Sequence, residues 1–101
     1  RRGYLGIAGQ LMPLPLRVVH YNKLSSGYGI KVDRLHHRER IDNRKLRRGD
    51  IVVEFNGSAI HSIDSLQRYL NEDSIGKPSS LGILRRGVKQ QIKVTPGELM
   101  D

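Results

Sequence analysis

The segment from Ile51 to Gly57 constrains the fold more than any other part of this chain. Ile51-Val52-Val53-Glu54-Phe55 is rich in β-branched and apolar side chains, which favour a strand. Asn56-Gly57 follows directly, and both residues tolerate the positive φ angles that a tight hairpin turn requires. The segment therefore predicts a strand that reverses into an antiparallel neighbour.

Other segments of the sequence predict further strands and two helices. Ser62 can cap a helix in which Ile63, Leu66 and Leu70 form one apolar stripe. A second, short helix is predicted over residues 39–46, with Ile41 and Leu46 turned inward. Alternating or β-branched segments predict strands at residues 7–10, 17–21, 29–35, 80–84 and 90–95. The expected fold is α+β and β-rich, a partly open barrel or sandwich of about five to six short strands capped by two helices.

The length of 101 residues allows one domain, predicted to span residues 1–101. No apolar stretch approaches the ~20 residues that a membrane span needs. The chain opens at Arg1-Arg2-Gly3 without Met, so we expect a fragment of a longer protein. The charged tail, residues 97–101, is expected to be frayed.

Positive charge is concentrated in one part of the sequence. The chain has 18 Lys plus Arg against 10 Asp plus Glu, a net charge of +8. Between Arg34 and Arg48 lie seven cations and only two carboxylates, Glu39 and Asp42. Such a stretch attracts anions, so an acidic protein, nucleic acid or anionic lipid is a candidate partner. The alternative is a solvated surface that keeps the domain soluble.

The sequence contains no recognisable catalytic or metal-binding pattern. Its four histidines, His20, His36, His37 and His61, do not have metal-ligand spacing, and there is no Cys. No serine lies in a nucleophile motif, and no glycine-rich phosphate loop is present. We therefore predict no catalytic residue, no metal and no cofactor for this chain.

One backbone feature does suggest binding. Tyr4-Leu5-Gly6-Ile7 reads as a loop entering a strand, and glycine can turn successive N–H groups into a nest for an anion. A peptide's terminal carboxylate fits such a nest, and the edge of strand 7–10 can pair with an extended peptide. The helix with Ile63, Gln67 and Leu70 would form the other wall. The alternative is that Gly6 only marks a bulge or turn.

Several segments, in order along the chain, resemble the PDZ domains of HtrA-type (DegP/DegS-like) trypsin-like serine proteases. They are Arg2-Gly3-Tyr4-Leu5-Gly6-Ile7, residues 46–57 with their Gly-Asp-Ile and Asn-Gly, the helix at residues 62–70, and the closing hairpin at residues 84–87 and 92–96. The resemblance implies a PDZ fold and a trypsin-like protease domain upstream. It also implies protein C-termini or unfolded polypeptide as partners, and a bacterial periplasmic or other extracytoplasmic location.

The resemblance also implies a set of binding residues. Leu5, Gly6 and Ile7 would donate N–H groups to the carboxylate, and Leu5, Ile7 and Leu70 would line the pocket for the last side chain. The peptide backbone would pair with Ile7, Ala8 and Gly9. Ile63 and Gln67 would contact residues further up the ligand, and Arg2 would add charge. The implied peptide site is Arg2, Tyr4, Leu5, Gly6, Ile7, Ala8, Gly9, Ile63, Gln67 and Leu70.

Two parts of the sequence depart from that family. Residues 39–46 lack its small-residue stretch, and Lys45 replaces a helix-ending glycine. Residues 11–26 also lack close similarity.

The sequence as a whole leaves three functional hypotheses. They are a peptide-binding regulatory module of a protease, an anion-binding module using Arg34 to Arg48, and a structural interaction domain with an occluded groove.

Overall fold

The structure is a computed structural model and describes residues 1–99. That part of the chain contains eight strands, two α-helices and one 3₁₀ turn. In chain order the elements are β1 (Gly3–Tyr4), β2 (Ile7–Pro13), α1 (Leu16–Tyr21), β3 (Tyr28–Leu35), β4 (Ile51–Phe55), β5 (Ser58–Ala59), α2 (Ile63–Tyr69), the 3₁₀ turn (Glu72–Ser74), β6 (Ser79–Arg85), β7 (Val88–Val94) and β8 (Gly97–Glu98).

The strands form two antiparallel sheets. The larger sheet has the order β2-β3-β4-β6-β7, with β5 paired to β4, and the smaller sheet pairs β1 with β8. Both sheets are open, and no closed barrel forms within residues 1–99. The predicted β-rich α+β class is confirmed, and the three strands of two residues each, β1, β5 and β8, raise the strand number above the expected five to six.

Strand β4 is the centre of the larger sheet and is buried on both faces. Val52 belongs to the main core, whereas Val53 packs on the opposite side with Leu14 and Leu84. The Asn56-Gly57 turn then leads into β5, and both residues have positive φ, 49° and 83°. The hairpin predicted from the sequence is confirmed. The main core consists of Leu5, Ile30, Val32, Leu46, Val52, Phe55, Ile60, Leu66, Leu70, Leu81, Ile83 and Val94.

Helix α2 begins where the sequence predicts. The Ser62 hydroxyl accepts a hydrogen bond from the backbone N–H of Ser65 at 3.1 Å, and the Ser65 hydroxyl accepts from the N–H of Ser62 at 3.0 Å. This reciprocal pair satisfies donors that the first turn would otherwise leave free. Leu66 turns into the core, and the Tyr69 hydroxyl donates to the carbonyl of Ala59 at 2.9 Å. These contacts hold α2 against the sheet.

An ion pair fixes the turn that precedes β4. The Asp50 carboxylate accepts hydrogen bonds from Nε and Nη2 of Arg85 at 2.9 and 2.7 Å and from the N–H of Arg47 at 2.8 Å. The Asp50 side chain is only 3% exposed. The hydrogen bonds to Asp50 raise the pKa of the Arg85 guanidinium above its ordinary value. The pair therefore joins the turn to β6.

The strand predicted at residues 17–21 is wrong, because these residues form α1. Val18 and Val19 are adjacent, and both pack against the small cluster of Leu14, Val53 and Leu84. A helix places two successive residues on neighbouring parts of one face, whereas a strand would point them to opposite sides. Pro15 precedes the helix and accepts at its carbonyl from the N–H groups of Val18 and Val19.

The short helix predicted at residues 39–46 is also wrong. Arg40 has a φ of +72°, which no α-helix accommodates, and Asp42 forms an isolated antiparallel bridge with Thr95. The backbone N–H of each of these two residues donates to the carbonyl of the other at 2.9 Å. Leu46 is nonetheless buried in the core, as expected. The bridge to Thr95 thus replaces helical hydrogen bonds.

The tail expected to fray is ordered at residues 97–98, which corrects the prediction for that part. Gly97 pairs with Tyr4 and Glu98 with Gly3, and the N–H of Leu99 donates to the carbonyl of Arg2 at 2.8 Å. Residues 100–101 of the same prediction lie outside the described residues. The two ends of the described chain therefore run side by side.

Candidate functional site

A groove runs between helix α2 and the edge of strand β2. Its volume is about 320 Å³. Nine of the ten site residues predicted from the sequence line it, and the tenth, Gly6, lies in the loop between Leu5 and Ile7. The full lining is Arg2, Gly3, Tyr4, Leu5, Ile7, Ala8, Gly9, Ile30, Ile63, Leu66, Gln67, Leu70 and Leu99.

The floor of the groove is apolar and its rim is accessible. Leu5 is fully buried, and Leu66 and Leu70 are each only 6% exposed, so these side chains form a continuous apolar base with the core. Ile63 is 41% exposed on α2, and Gln67 is also exposed. An apolar side chain entering here would be removed from water. Full burial of such a side chain stabilises the complex by about 1.5–3 kcal/mol.

The loop at the end of the groove requires glycine at position 6. Gly6 has a φ of +72°, and its carbonyl accepts from the N–H of His36 at 2.6 Å. A Cβ added there would lie 2.5 Å from the carbonyl oxygen of His36 and 2.7 Å from Nδ2 of Asn43. Both the backbone angle and the close approach of β3's end exclude a side chain.

The N–H groups of this loop are available for binding. Among the hydrogen bonds of residues 1–99, none engages the backbone N–H of Leu5 or of Gly6. The carbonyl oxygens of the same two residues are used internally, by Asn43 and His36 respectively. The loop therefore keeps its donors for solvent or an anion while its acceptors are occupied, which is the polarity a carboxylate needs.

Strand β2 presents an open edge to the groove. It is the last strand of the larger sheet, paired with β3 on one side, and within the described chain no strand pairs with its other side. Ile7, Ala8 and Gly9 lie on this edge and line the groove. A free edge is a template for another extended segment. Because helix α2 forms the other wall, an added segment would have to fit between α2 and β2.

Asn43 is a site residue that the sequence reasoning missed. Its side chain is buried, and its Nδ2 donates to the carbonyls of Leu5 at 2.9 Å and His36 at 3.1 Å. Its Oδ1 lies 3.1 Å from Nδ1 of His37. Asn43 thereby fixes the loop of Leu5 and Gly6 to the end of β3. No signal near Asn43 in the sequence could have identified it, because its partner Leu5 lies 38 positions away.

Two cations, Arg2 and Arg38, lie near the closed end of the groove, whereas Arg1 is paired with a carboxylate. Arg2 lines it directly, and the guanidinium of Arg38 lies 5.7 Å from the centre of the Tyr4 ring, a cation–π distance. Arg1 donates to Glu98 at 2.8 Å, and this hydrogen bond lowers the pKa of the Glu98 carboxyl. The setting favours a negatively charged ligand terminus.

The basic stretch from Arg34 to Arg48 does not form a single pocket. It runs from the end of β3 through the irregular segment to the turn before β4. Arg44 is engaged by Asp42 at 3.0 and 3.1 Å, which lowers the pKa of that carboxyl, and Nε of Arg48 donates to the carbonyl of Asp33 at 3.1 Å. The remaining cations of the stretch are mostly exposed.

Neither metal-binding clusters nor membrane-spanning helices occur in the described part of the chain. Residues 1–99 contain no group of three or more His, Cys, Asp or Glu side chains placed to hold a metal ion. No helix within these residues has the length and apolar character needed to cross a bilayer.

Comparison with known proteins identifies the class to which this fold and groove belong. The sequence profile described as "PDZ domain" matches residues 3–95, and the chain belongs to the PDZ domain family. The PDZ fold predicted from the sequence is confirmed. A search of the curated proteins finds no match to the sequence.

Among solved structures, the fold is similar to one described as "HtrA-type protease AlgW with decapeptide". The TM-score is 0.71 at 19% sequence identity, and the alignment covers 99% of this chain. It covers 30% of the other chain, so the present chain spans less than a third of that protease's length. The similarity includes the whole described domain and is one of fold.

Proposed function

We propose that this domain binds extended peptides, foremost protein C-termini, by adding them as a further strand to β2. The observation that carries the proposal is the groove between the open edge of β2 and helix α2, closed at one end by a loop with free N–H groups. The structurally similar protease is described with a decapeptide, which supports a peptide as the ligand. The partners would be exposed termini or unfolded polypeptide.

The proposed roles of the groove residues follow from their positions. The terminal carboxylate would accept from the N–H groups of Leu5, Gly6 and Ile7, with Arg2 adding charge nearby. Charge-assisted hydrogen bonds of this kind contribute roughly 1.5–3 kcal/mol each. The last side chain would enter the apolar base at Leu5, Ile7 and Leu70. The peptide backbone would pair with residues 7–9, and upstream side chains would contact Ile63 and Gln67.

The affinity expected from such a groove is modest. A short peptide buries little area and loses conformational freedom when it becomes a strand. A dissociation constant of about micromolar, near −8 kcal/mol, is typical of this balance. Weak, reversible capture suits a domain that samples many chain ends.

The parent protein in this proposal is an HtrA-like, trypsin-like serine protease acting outside the cytoplasm. The resemblance of the sequence segments and the fold similarity to an HtrA-type protease support this context. In it, the domain would recognise substrates or regulatory peptides in protein quality control. Catalysis would belong to a protease domain elsewhere in the parent chain.

Paired peptides test the proposal directly. Hexapeptides ending in Val with a free carboxylate would be titrated against the same peptides with an amidated C-terminus, using fluorescence anisotropy. We expect amidation to weaken binding at least tenfold, since a neutral amide loses the charge-assisted bonds to the loop. Chemical-shift mapping by NMR should place the largest changes at residues 5–10. Equal affinity for the two forms would overturn the carboxylate site.

A second candidate function is anion binding through the basic stretch. The observation that favours it is the set of exposed cations at Arg34, Arg38, Arg40, Lys45 and Arg47. Oligonucleotides and anionic vesicles would then bind with a steep salt dependence. Tyr28 is the nearest aromatic residue in the sequence, so base stacking contributes little. The third hypothesis, an occluded groove, is disfavoured by the space of about 320 Å³ that the described residues leave open.

A further inference from the structure

The outer face of the β2–β3 pair, away from helix α2, carries a defined set of polar and charged side chains. Ala8 lies opposite Arg34, and Gln10 lies opposite Lys31. Side chains of directly opposed residues point to the same face of a sheet. Ile7 and Leu35, the neighbouring opposed pair, pack against the main core. Alternation therefore places Ala8, Gln10, Lys31 and Arg34 on the outer face.

This outer face is cationic. Lys31 and Arg34 are exposed, and within residues 1–99 neither forms an ion pair with a carboxylate. Asp33 supplies an opposing charge, and its carboxylate accepts a long bond of 3.4 Å from the Gln10 amide. Arg48 binds the carbonyl of Asp33 at 3.1 Å and adds a third cation beside the strand. Three cations against one carboxylate leave the face positive.

A peptide bound as proposed has a fixed direction relative to this face. Its carboxylate lies at the start of β2, so the peptide runs antiparallel to β2. Its last side chain points into the groove, and the period of two then turns the penultimate and fourth-from-last side chains onto the outer face. The bulge in the β2–β3 pairing lies on the β3 side, between Val32 and Arg34, and leaves β2 itself regular. The penultimate residue thus lies beside Ala8 and the fourth-from-last beside Gln10.

Ala8 is the feature that lets the penultimate residue of the ligand reach Arg34. Adjacent strands lie about 4.8 Å apart, so a ligand strand is about 10 Å from β3, with β2 between them. The methyl group of Ala8 leaves the space above β2 open, and Arg34 is long enough to extend over it. A carboxylate on the penultimate residue can therefore approach the Arg34 guanidinium. The fourth-from-last residue lies beside Gln10, and a carboxylate there has to extend past the Gln10 side chain to approach Lys31.

We propose that the groove selects C-termini with Glu or Asp at the penultimate and fourth-from-last positions, read by Arg34 and Lys31. This inference deepens the proposed peptide-binding function and rests on it. Arg34 and Lys31 are specificity residues in this scheme. The selected ligand class is an acidic, apolar-ended chain terminus.

The test uses three hexapeptides with free carboxylates, acetyl-Ala-Ala-Glu-Ala-Glu-Val and its versions with Gln or Lys at both Glu positions. We expect the Glu peptide to bind about two- to fivefold more tightly than the Gln peptide for each acid, the range of exposed ion pairs, and the Lys peptide to bind most weakly. The difference should shrink as salt rises, because exposed charges are screened. Arg34→Gln and Lys31→Gln should each remove the contribution of one acid, so each should lower the ratio of Glu-peptide to Gln-peptide affinity by about two- to fivefold, and the double variant should abolish the preference.

Matched controls separate this inference from the function beneath it. Arg17→Gln removes a cation on α1, which does not line the groove, and should leave all three affinities unchanged. If the Gln peptide binds in a carboxylate-dependent way and the Glu peptide binds no better, charge selection is refuted and the groove function stands. If no peptide binds in a carboxylate-dependent way, both fail.

Discussion

The side-chain amide of Asn43 donates a hydrogen bond to the carbonyl oxygen of Leu5 at 2.9 Å, across 38 positions of sequence. The same nitrogen donates to His36 at 3.1 Å. One buried amide therefore ties the loop at the closed end of the groove to the chain that leaves β3. The shape of the proposed carboxylate site depends on a residue outside the groove lining.

Asn43→Ala should destabilise the domain and weaken peptide binding together. The buried carbonyl oxygen of Leu5 and the half-buried carbonyl oxygen of His36 would lose their donor, which we expect to cost about 2–4 kcal/mol in the free energy of unfolding. Urea unfolding followed by circular dichroism measures the change. Asn71→Ala is the matched control, since the Asn71 side chain makes no capping hydrogen bond and is exposed. Similar losses in both variants would show that Asn43 holds nothing specific.

Gly6→Ala should be more harmful than Gly57→Ala. Both glycines have positive φ, 72° and 83°, so alanine strains the backbone by about 1–2 kcal/mol at either position. Only Gly6 also has atoms in the way, since a Cβ at Gly57 meets nothing within 4 Å. We expect Gly6→Ala to cost at least about 1 kcal/mol more and to weaken peptide binding over tenfold. Thermal melts and the anisotropy titration check both, and equal behaviour of the two variants would contradict the close packing at Gly6.

Arg85→Leu should cost about 3–5 kcal/mol of stability. It would leave the Asp50 carboxylate, only 3% exposed, without its cationic partner. Lys93→Leu, at an exposed position on β7, is the comparison and should change stability little. Denaturant unfolding of both variants gives the difference. The double variant Asp50→Asn with Arg85→Leu should recover part of the loss, whereas an additive loss would argue against the pairing.

Stability should fall at acidic pH partly through Asp42. The side-chain hydrogen bond from Arg44 lowers the pKa of this carboxyl below its ordinary value of 3.8 in the folded state. The contribution is therefore fully present above about pH 4 and is lost as pH falls through the folded pKa. Because the side chain is 41% exposed, we expect at most about 1 kcal/mol.

Unfolding curves of the parent chain and Asp42→Asn between pH 3 and 6 measure that contribution. The stability gap between the two proteins should be constant near pH 6 and should close below pH 4. Asp73→Asn, at an exposed position, provides the control. A gap that stays constant down to pH 3 would be inconsistent with the Asp42–Arg44 pair.

Features set by neighbouring residues were predictable from the sequence. The β4 hairpin follows from Asn56-Gly57, and the start of α2 follows from Ser62, because turn and cap chemistry act within a few positions. The groove lining was reached through a resemblance that preserves the order of these local segments. Nine of the ten predicted residues line it for that reason.

Features set by distant contacts were not predictable. Residues 17–21 have β-branched side chains, yet packing of Val18 and Val19 against Val53 and Leu84 favours a helix over that local preference. Residues 39–46 were predicted as a helix, yet the backbone N–H and carbonyl of Asp42 are used by the bridge to Thr95. The buried position of Asn43 depends on its hydrogen bonds to Leu5 and His36. The residues adjacent to Asn43 in the sequence therefore do not predict its burial.

The pairing of β1 with β8 has a practical consequence for anyone attaching a probe or tether to this domain. Arg1 binds Glu98, and Leu99 lines the groove, so residues 1 and 99 both lie near the place where a guest peptide would bind. A dye or resin coupled directly at Arg1 would lie close to that guest. The turn at Arg86 and Gly87 does not line the groove, so a probe attached at this turn should not interfere with peptide binding.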